Sequence, residues 1–112
     1  TASLGRWVRD YGIMSLEEAV SKLTCRVASI FGLNDRGLLR PGMVADIAVF
    51  DPATINTQEP EYVQDLPGNE TRMIQKATGV PFTVVNGTVV IENGAPTGAF
   101  PGKVLRPTAW KQ

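Results

Sequence analysis

A mixed α+β fold is predicted for this chain, on three observations. Apolar residues recur at helical spacing through the N-terminal third. A Ser-x-x-Glu capping box at Ser15–Glu18 opens a helix inside that region. Further on, two β-branched runs flank Asn86-Gly87, a dipeptide that favours a type I′ hairpin turn because both central residues need positive φ.

The elements follow in order. Leu4, Trp7, Val8 and Tyr11 form a helical stripe, with Gly12 as its terminator. After the Ser15 cap, Leu16, Ala19, Val20 and Leu23 make a second apolar stripe. Thr24 is the expected cap of a short third helix through Ala28 and Phe31, closed by Gly32. These helices are predicted to be scaffold laid against something larger.

Arg40-Pro41-Gly42-Met43 has the chemistry of a type II turn, Pro setting φ and Gly taking positive φ. A strand from Ala45 to Phe50 follows, interrupted early by Asp46 and ended by Asp51-Pro52. Its apolar part, Ile47 to Phe50, predicts a central strand buried on both faces. Residues 52–78 are polar and predict a long loop that is functional or packed on a neighbour, and mobile without one. Tyr62, Val63 and Leu66 are its apolar residues and suit a docking patch. Pro81 belongs at a strand start or on an edge, and Asn93-Gly94 marks a further turn. The tail from Thr97 to Trp110 is punctuated by Gly and Pro and is predicted to wrap a surface.

Composition limits the function classes. A chain of 112 residues suits one domain or part of one. Eleven basic residues balance eleven acidic ones, which argues against a nucleic-acid or acidic-membrane surface held by bulk charge. One cysteine makes no internal disulfide and fits a cytoplasmic protein. No apolar run approaches a membrane span, and the first residues lack the apolar core of a signal peptide. The chain starts on Thr1 rather than Met, as expected of a processed protein or an internal piece of one.

The residues supply little chemistry of their own. There is no histidine, hence no Ser-His or Cys-His pair and no imidazole ligand. Cys25 beside Arg26 suits a small core residue more than an activated thiol. Asp46, Asp51, Glu59, Glu61, Asp65 and Glu70 match no metal-binding loop and read as solvated charge on turns. Lys22, Lys76 and Lys103 have no desolvating context, and no Gly-rich phosphate loop is present. Trp7, Tyr11, Tyr62 and Trp110 are scattered without basic interleaving. No catalytic, cofactor-binding or metal-binding residue is therefore assigned, and the isolated chain is expected to bind no catalytic zinc.

Three stretches together resemble the C-terminal end of an amidohydrolase of the N-acyl-D-amino-acid deacylase (D-aminoacylase) group: LGRWVRDYGIMSLEEAVSKLT, FGLNDRGLLRPGMVADIAVFDP and VVNGTVVIENGAPTGAFPGKVLR. The resemblance covers nearly the whole chain. It implies that residues 1–36 are terminal helices of a metal-bearing TIM-type barrel. Residues 37–112 would be strands of a small composite β-sandwich, including the loop at 52–78 and the Asn-Gly hairpin. It also implies zinc in the full-length parent, held by residues outside this chain. Asp46 and Asp51 match the family's structural strand and not its catalytic Asp. Two readings remain at this point. One is a structural segment of a hydrolase acting on N-acyl-D-amino acids or similar amides. The other is a stand-alone, non-catalytic β-rich interaction module. The expected partner is the rest of the parent, or another copy through an open sheet edge, and a well-folded monomer is not expected.

Overall fold

The computed structural model describes residues 1–106; the end of the predicted tail wrap, with Trp110, lies outside them. Three helical segments come first: Ser3–Asp10, α1 (Leu16–Leu23) and α2 (Cys25–Ile30). Eight short strands follow: β1 (Ile47–Val49), β2 (Asn56–Thr57), β3 (Glu61–Val63), β4 (Arg72–Ile74), β5 (Ala77–Thr78), β6 (Phe82–Val85), β7 (Thr88–Glu92) and β8 (Ala95–Pro96). The mixed helix-then-strand order is the predicted one.

Ser3–Asp10 is wound as a π-helix, as in the Tyr11 N–H donating to the Arg6 carbonyl five residues back, at 3.0 Å. The single stripe expected from an α-helical period is therefore split. Leu4 and Val8 pack into the core, whereas Trp7 and Tyr11 are exposed. At α1 the Ser15 Oγ accepts from the Glu18 N–H at 3.1 Å, the first half of the predicted capping box. Glu18 turns to Lys22 one helical turn on, at 2.9 Å, an (i, i+4) pair. Thr24 does not cap α2 with its side chain; its hydroxyl donates to the Val20 carbonyl at 2.7 Å, bonding back into the preceding turn. Gly32 follows α2 with φ 67°, as its predicted role requires.

The type II turn at Arg40–Met43 is present, with Gly42 at φ 86° and the Met43 N–H donating to the Arg40 carbonyl at 3.2 Å. Strands β1, β6, β7 and β8 form one antiparallel sheet in the order β1-β6-β7-β8. Asn86 (φ 48°) and Gly87 (φ 77°) make the β6–β7 turn, and Asn93 (φ 50°) and Gly94 (φ 80°) make the β7–β8 turn. Pro81 sits just before β6, where no ladder donor is needed.

Two expectations are corrected. First, β1 is not buried on both faces: it is half-buried at Ile47 and exposed at Ala48 and Val49. Among the described residues it pairs with β6 alone, so its other side is the open sheet edge that was expected, and a continuous apolar run is buried on both faces only when neighbours stand on both sides. Second, residues 52–78 are not an irregular loop. They form a nested β-arm: β2 pairs with β5, and beyond them β3 pairs with β4. Its turn lacks an Asn-Gly signal at the strand ends, and its strands are two or three residues long, so no alternation is visible in the sequence.

The core is small. Leu4, Ala19 and Ile55 are buried together, with Val8, Met14, Leu16, Val20, Phe50 and Val80 packed around them. Arg9 secures this joint by donating from Nη1 to the carbonyls of Ala53 (3.0 Å) and Ile55 (2.9 Å). Gly79, at φ 71°, lies so close to Ile55 that a Cβ there would stand 2.5 Å from its backbone nitrogen. Leu23, on the predicted α1 stripe, is left exposed.

Candidate functional site

Four of the six sequence-predicted carboxylates have a side-chain partner within the chain. Asp46 joins three parts of the fold. Its Oδ2 accepts from Arg36 Nη1, and its Oδ1 accepts from the Asn86 N–H at 2.8 Å, beside the hairpin turn. Arg36 also binds Asp35, Nε to Oδ1, at 3.0 Å. Hydrogen bonding from Arg36 holds the Asp35 carboxyl below the usual aspartate range, and the same bond raises the Arg36 guanidinium. Asp51 closes its own turn: Oδ1 accepts from the Ala53 N–H and Oδ2 from the Thr54 hydroxyl, both at 2.9 Å.

The remaining carboxylates lie on the arm. Glu61 pairs with Lys76 at 2.6 Å, and Asp65 takes both Nε and Nη2 of Arg72, at 2.7 and 2.6 Å. That forked hydrogen bond is the main cause lowering the Asp65 pKa and raising that of Arg72. Glu59 and Glu70 form no ion pair among the described residues. Cys25 is half-buried against Ser21, Sγ to Oγ 3.3 Å, inside the α1–α2 corner. Sequence reasoning missed one grouping. Trp7 and Tyr11 meet edge to face, centroids 5.6 Å apart, with the Arg6 guanidinium 5.7 Å from the Tyr11 ring. The signal was present as an (i, i+4) aromatic pair.

Among the described residues no three of His, Cys, Asp and Glu gather where a metal could sit. With no histidine in the chain and its paired carboxylates held by Arg and Lys, these residues do not fit a zinc site. What the molecule presents instead is surface. Ile30 is 81% exposed, Phe31 60% and Leu39 81%. An open apolar cleft of about 410 Å³ lies between the sheet and residues 98–102, lined by Val85, Val90, Ile91, Pro96 and Phe100. No helix among the described residues is long and apolar enough to cross a membrane.

The amidohydrolase family model matches residues 1–91. The chain belongs to that family. It is 40% identical over 107 residues to the D-aminoacylase of Alcaligenes xylosoxydans xylosoxydans, covering 95% of this chain and 20% of the relative. It is 38% identical over 109 residues to the N-acyl-D-glutamate deacylase of the same organism, covering 97% of this chain and 20% of that protein. Among solved structures it resembles a D-aminoacylase variant in complex with copper chloride, with TM-score 0.72 and 39% identity over 91% of this chain and 20% of that one. It also resembles the N-acyl-D-glutamate deacylase of Bordetella bronchiseptica complexed with zinc and a phosphonate inhibitor, with TM-score 0.61 and 35% identity over 85% of this chain and 19% of that one. This chain thus spans about a fifth of the length of the curated relatives it matches.

Proposed function

We propose that this chain is the C-terminal, structural segment of a metal-dependent amidohydrolase that cleaves the amide bond of N-acyl-D-amino acids. In this reading the helices through residue 36 close a TIM-type barrel, and the strands beyond complete a small β-sandwich. Zinc and the groups that act on the amide belong to the rest of the parent.

The observation that carries the reading is the surface left uncovered. The accessible area is 8547 Å², against about 6000 Å² for a compact monomer of this mass. The radius of gyration is 16.4 Å, against about 13 Å for a compact chain of this length. Only Leu4, Ala19, Ala28 and Ile55 are buried apolar residues among those described. The uncovered faces, at α2, at Leu39 and along the apolar cleft, are the ones that a barrel and a second sheet would cover. Similarity to two deacylases acting on N-acylated D-amino acids supplies the substrate class.

The test is to capture the native protein from its source cells with an antibody against the β6–β7 hairpin. Its intact mass, its zinc content and its hydrolysis of N-acetyl-D- and N-acetyl-L-amino acids are then measured. A polypeptide several times larger than 12.1 kDa, with bound zinc and D-selective hydrolysis, is the expected result. A free species of that small mass with no hydrolase activity would establish the stand-alone module instead.

A further inference from the structure

The arm carries an unexplained asymmetry. β3 and β4 pair only with each other, and no other element among those described packs against either. A lone two-stranded hairpin is marginal in water. Registered partners share a face, so Tyr62 and Met73 lie together on one side, 79% and 62% exposed. Within the two strands that side holds Tyr62 and Met73 alone and carries no charge. Glu61, Asp65, Arg72 and Lys76 all fall on the other side, where they pair. The outer edges differ as well. β3 lies between Pro60 and Pro67, while residues 68–80 around β4 hold no proline. Pro60, directly before β3, blunts that edge and leaves the edge of β4 open to a further strand.

The sequence of that open edge is complementary to itself. When Glu70–Lys76 is laid antiparallel on a second copy about Met73, Arg72 faces Ile74, Thr71 faces Gln75, and Glu70 faces Lys76. Opposite charges meet at both ends, and no like charges stand across from each other. Neighbouring registers are worse. A two-residue shift one way sets Arg72 against Arg72, and the other way sets Arg72 against Lys76. An odd shift places the charged face of one copy beside the uncharged face of the other.

We propose that β4 is a self-association strand, pairing antiparallel with the β4 of a second copy about Met73. The result is a four-stranded sheet, β3-β4 continued by the partner's β4 and β3, with Tyr62 and Met73 of both copies in one uncharged row. It concerns the arm alone and stands apart from the assignment of activity.

Cysteine cross-linking in the intact protein tests it. The twofold puts the two copies of residue 73 directly opposite, about 4.5–5.5 Å apart at Cα, within disulfide reach. The two copies of residue 71 stand about 14 Å apart, four residues along the strand, beyond that reach. Under mild oxidation, Met73→Cys is expected to give a covalent dimer on a non-reducing gel. Thr71→Cys and the unsubstituted protein, whose Cys25 serves as control, are expected to give none. Thr71→Cys combined with Gln75→Cys restores the cross-link. Sedimentation of the unsubstituted protein at micromolar concentration is expected to show a dimer. A monomer by sedimentation, no cross-link from Met73→Cys, or equal cross-linking from Thr71→Cys alone would overturn the proposal.

Discussion

The β6–β7 hairpin and the β3–β4 arm are both antiparallel ribbons, yet they are held in different ways. The residues of β6 are all half-buried, and the ribbon is flanked by β1 on one side and β8 on the other. Its turn is fastened from outside, with the Asn86 N–H on Asp46 and the Gly87 N–H on the Ala45 carbonyl at 2.9 Å. Among the described residues the arm has no flanking strand, and it is fastened from within, by Glu61–Lys76 and the Asp65–Arg72 fork. Exposed ion pairs of this kind are worth about 0–1 kcal/mol each, so they set register more than they supply stability. One ribbon is part of the body; the other stands clear of it.

The largest expected effect lies at the joint that supports both ribbons. In the intact protein, Gly79→Ala puts a Cβ against the backbone of Ile55 at a positive-φ position. A loss of about 2–5 kcal/mol is expected by denaturant unfolding, from left-handed backbone cost plus overpacking. Retention of full stability would show that the close approach is not maintained. A middle effect is expected at the hairpin anchor. Asp46→Ala removes the acceptor of Arg36 and of the Asn86 N–H, costing about 1.5–3 kcal/mol for charged hydrogen bonds. Amide exchange should quicken around Asn86 and Gly87 and stay unchanged on the arm. Equal quickening in both ribbons would break the comparison.

The smallest effect belongs to the arm. Asp65→Asn is expected to leave global stability nearly unchanged and to loosen the arm alone, as read from the Met73 methyl signal. The pH dependence has a definite sign. Because the folded Asp65 pKa is lowered by Arg72, its contribution is fully present above the ordinary aspartate value of about 3.9. It is lost as pH falls through the lowered folded value. The Met73 signal should therefore be flat from neutral pH down to about 5 and move only in more acid solution. A midpoint near neutrality would refute the assignment to Asp65.

Legibility followed locality. The Ser15 cap, the Pro41-Gly42 turn and the Asn86-Gly87 and Asn93-Gly94 turns were all readable, because each is decided by backbone preferences within four residues. The motifs LGRWVRDYG and RGLLRPGMVADIAVFDP pointed to the amidohydrolase family that the comparisons show. The arm was not readable. Its strands are too short for a periodic signal, and its pairs, Asp65 with Arg72 and Glu61 with Lys76, close across a turn that no local motif marks.

By itself, then, the sequence determined the helical segments, the tight turns and the family, since these rest on local sterics and on residue identity. Only the tertiary structure decided the exposure of β1, the inward turn of Leu4 and Val8 away from Trp7 and Tyr11, and the edges of the arm. The physical reason is that burial and strand pairing are properties of what lies alongside a segment. The apolar run Ile47 to Phe50 carries the same residues whether one neighbour or two stand beside it, and among the described residues β6 is its one neighbour.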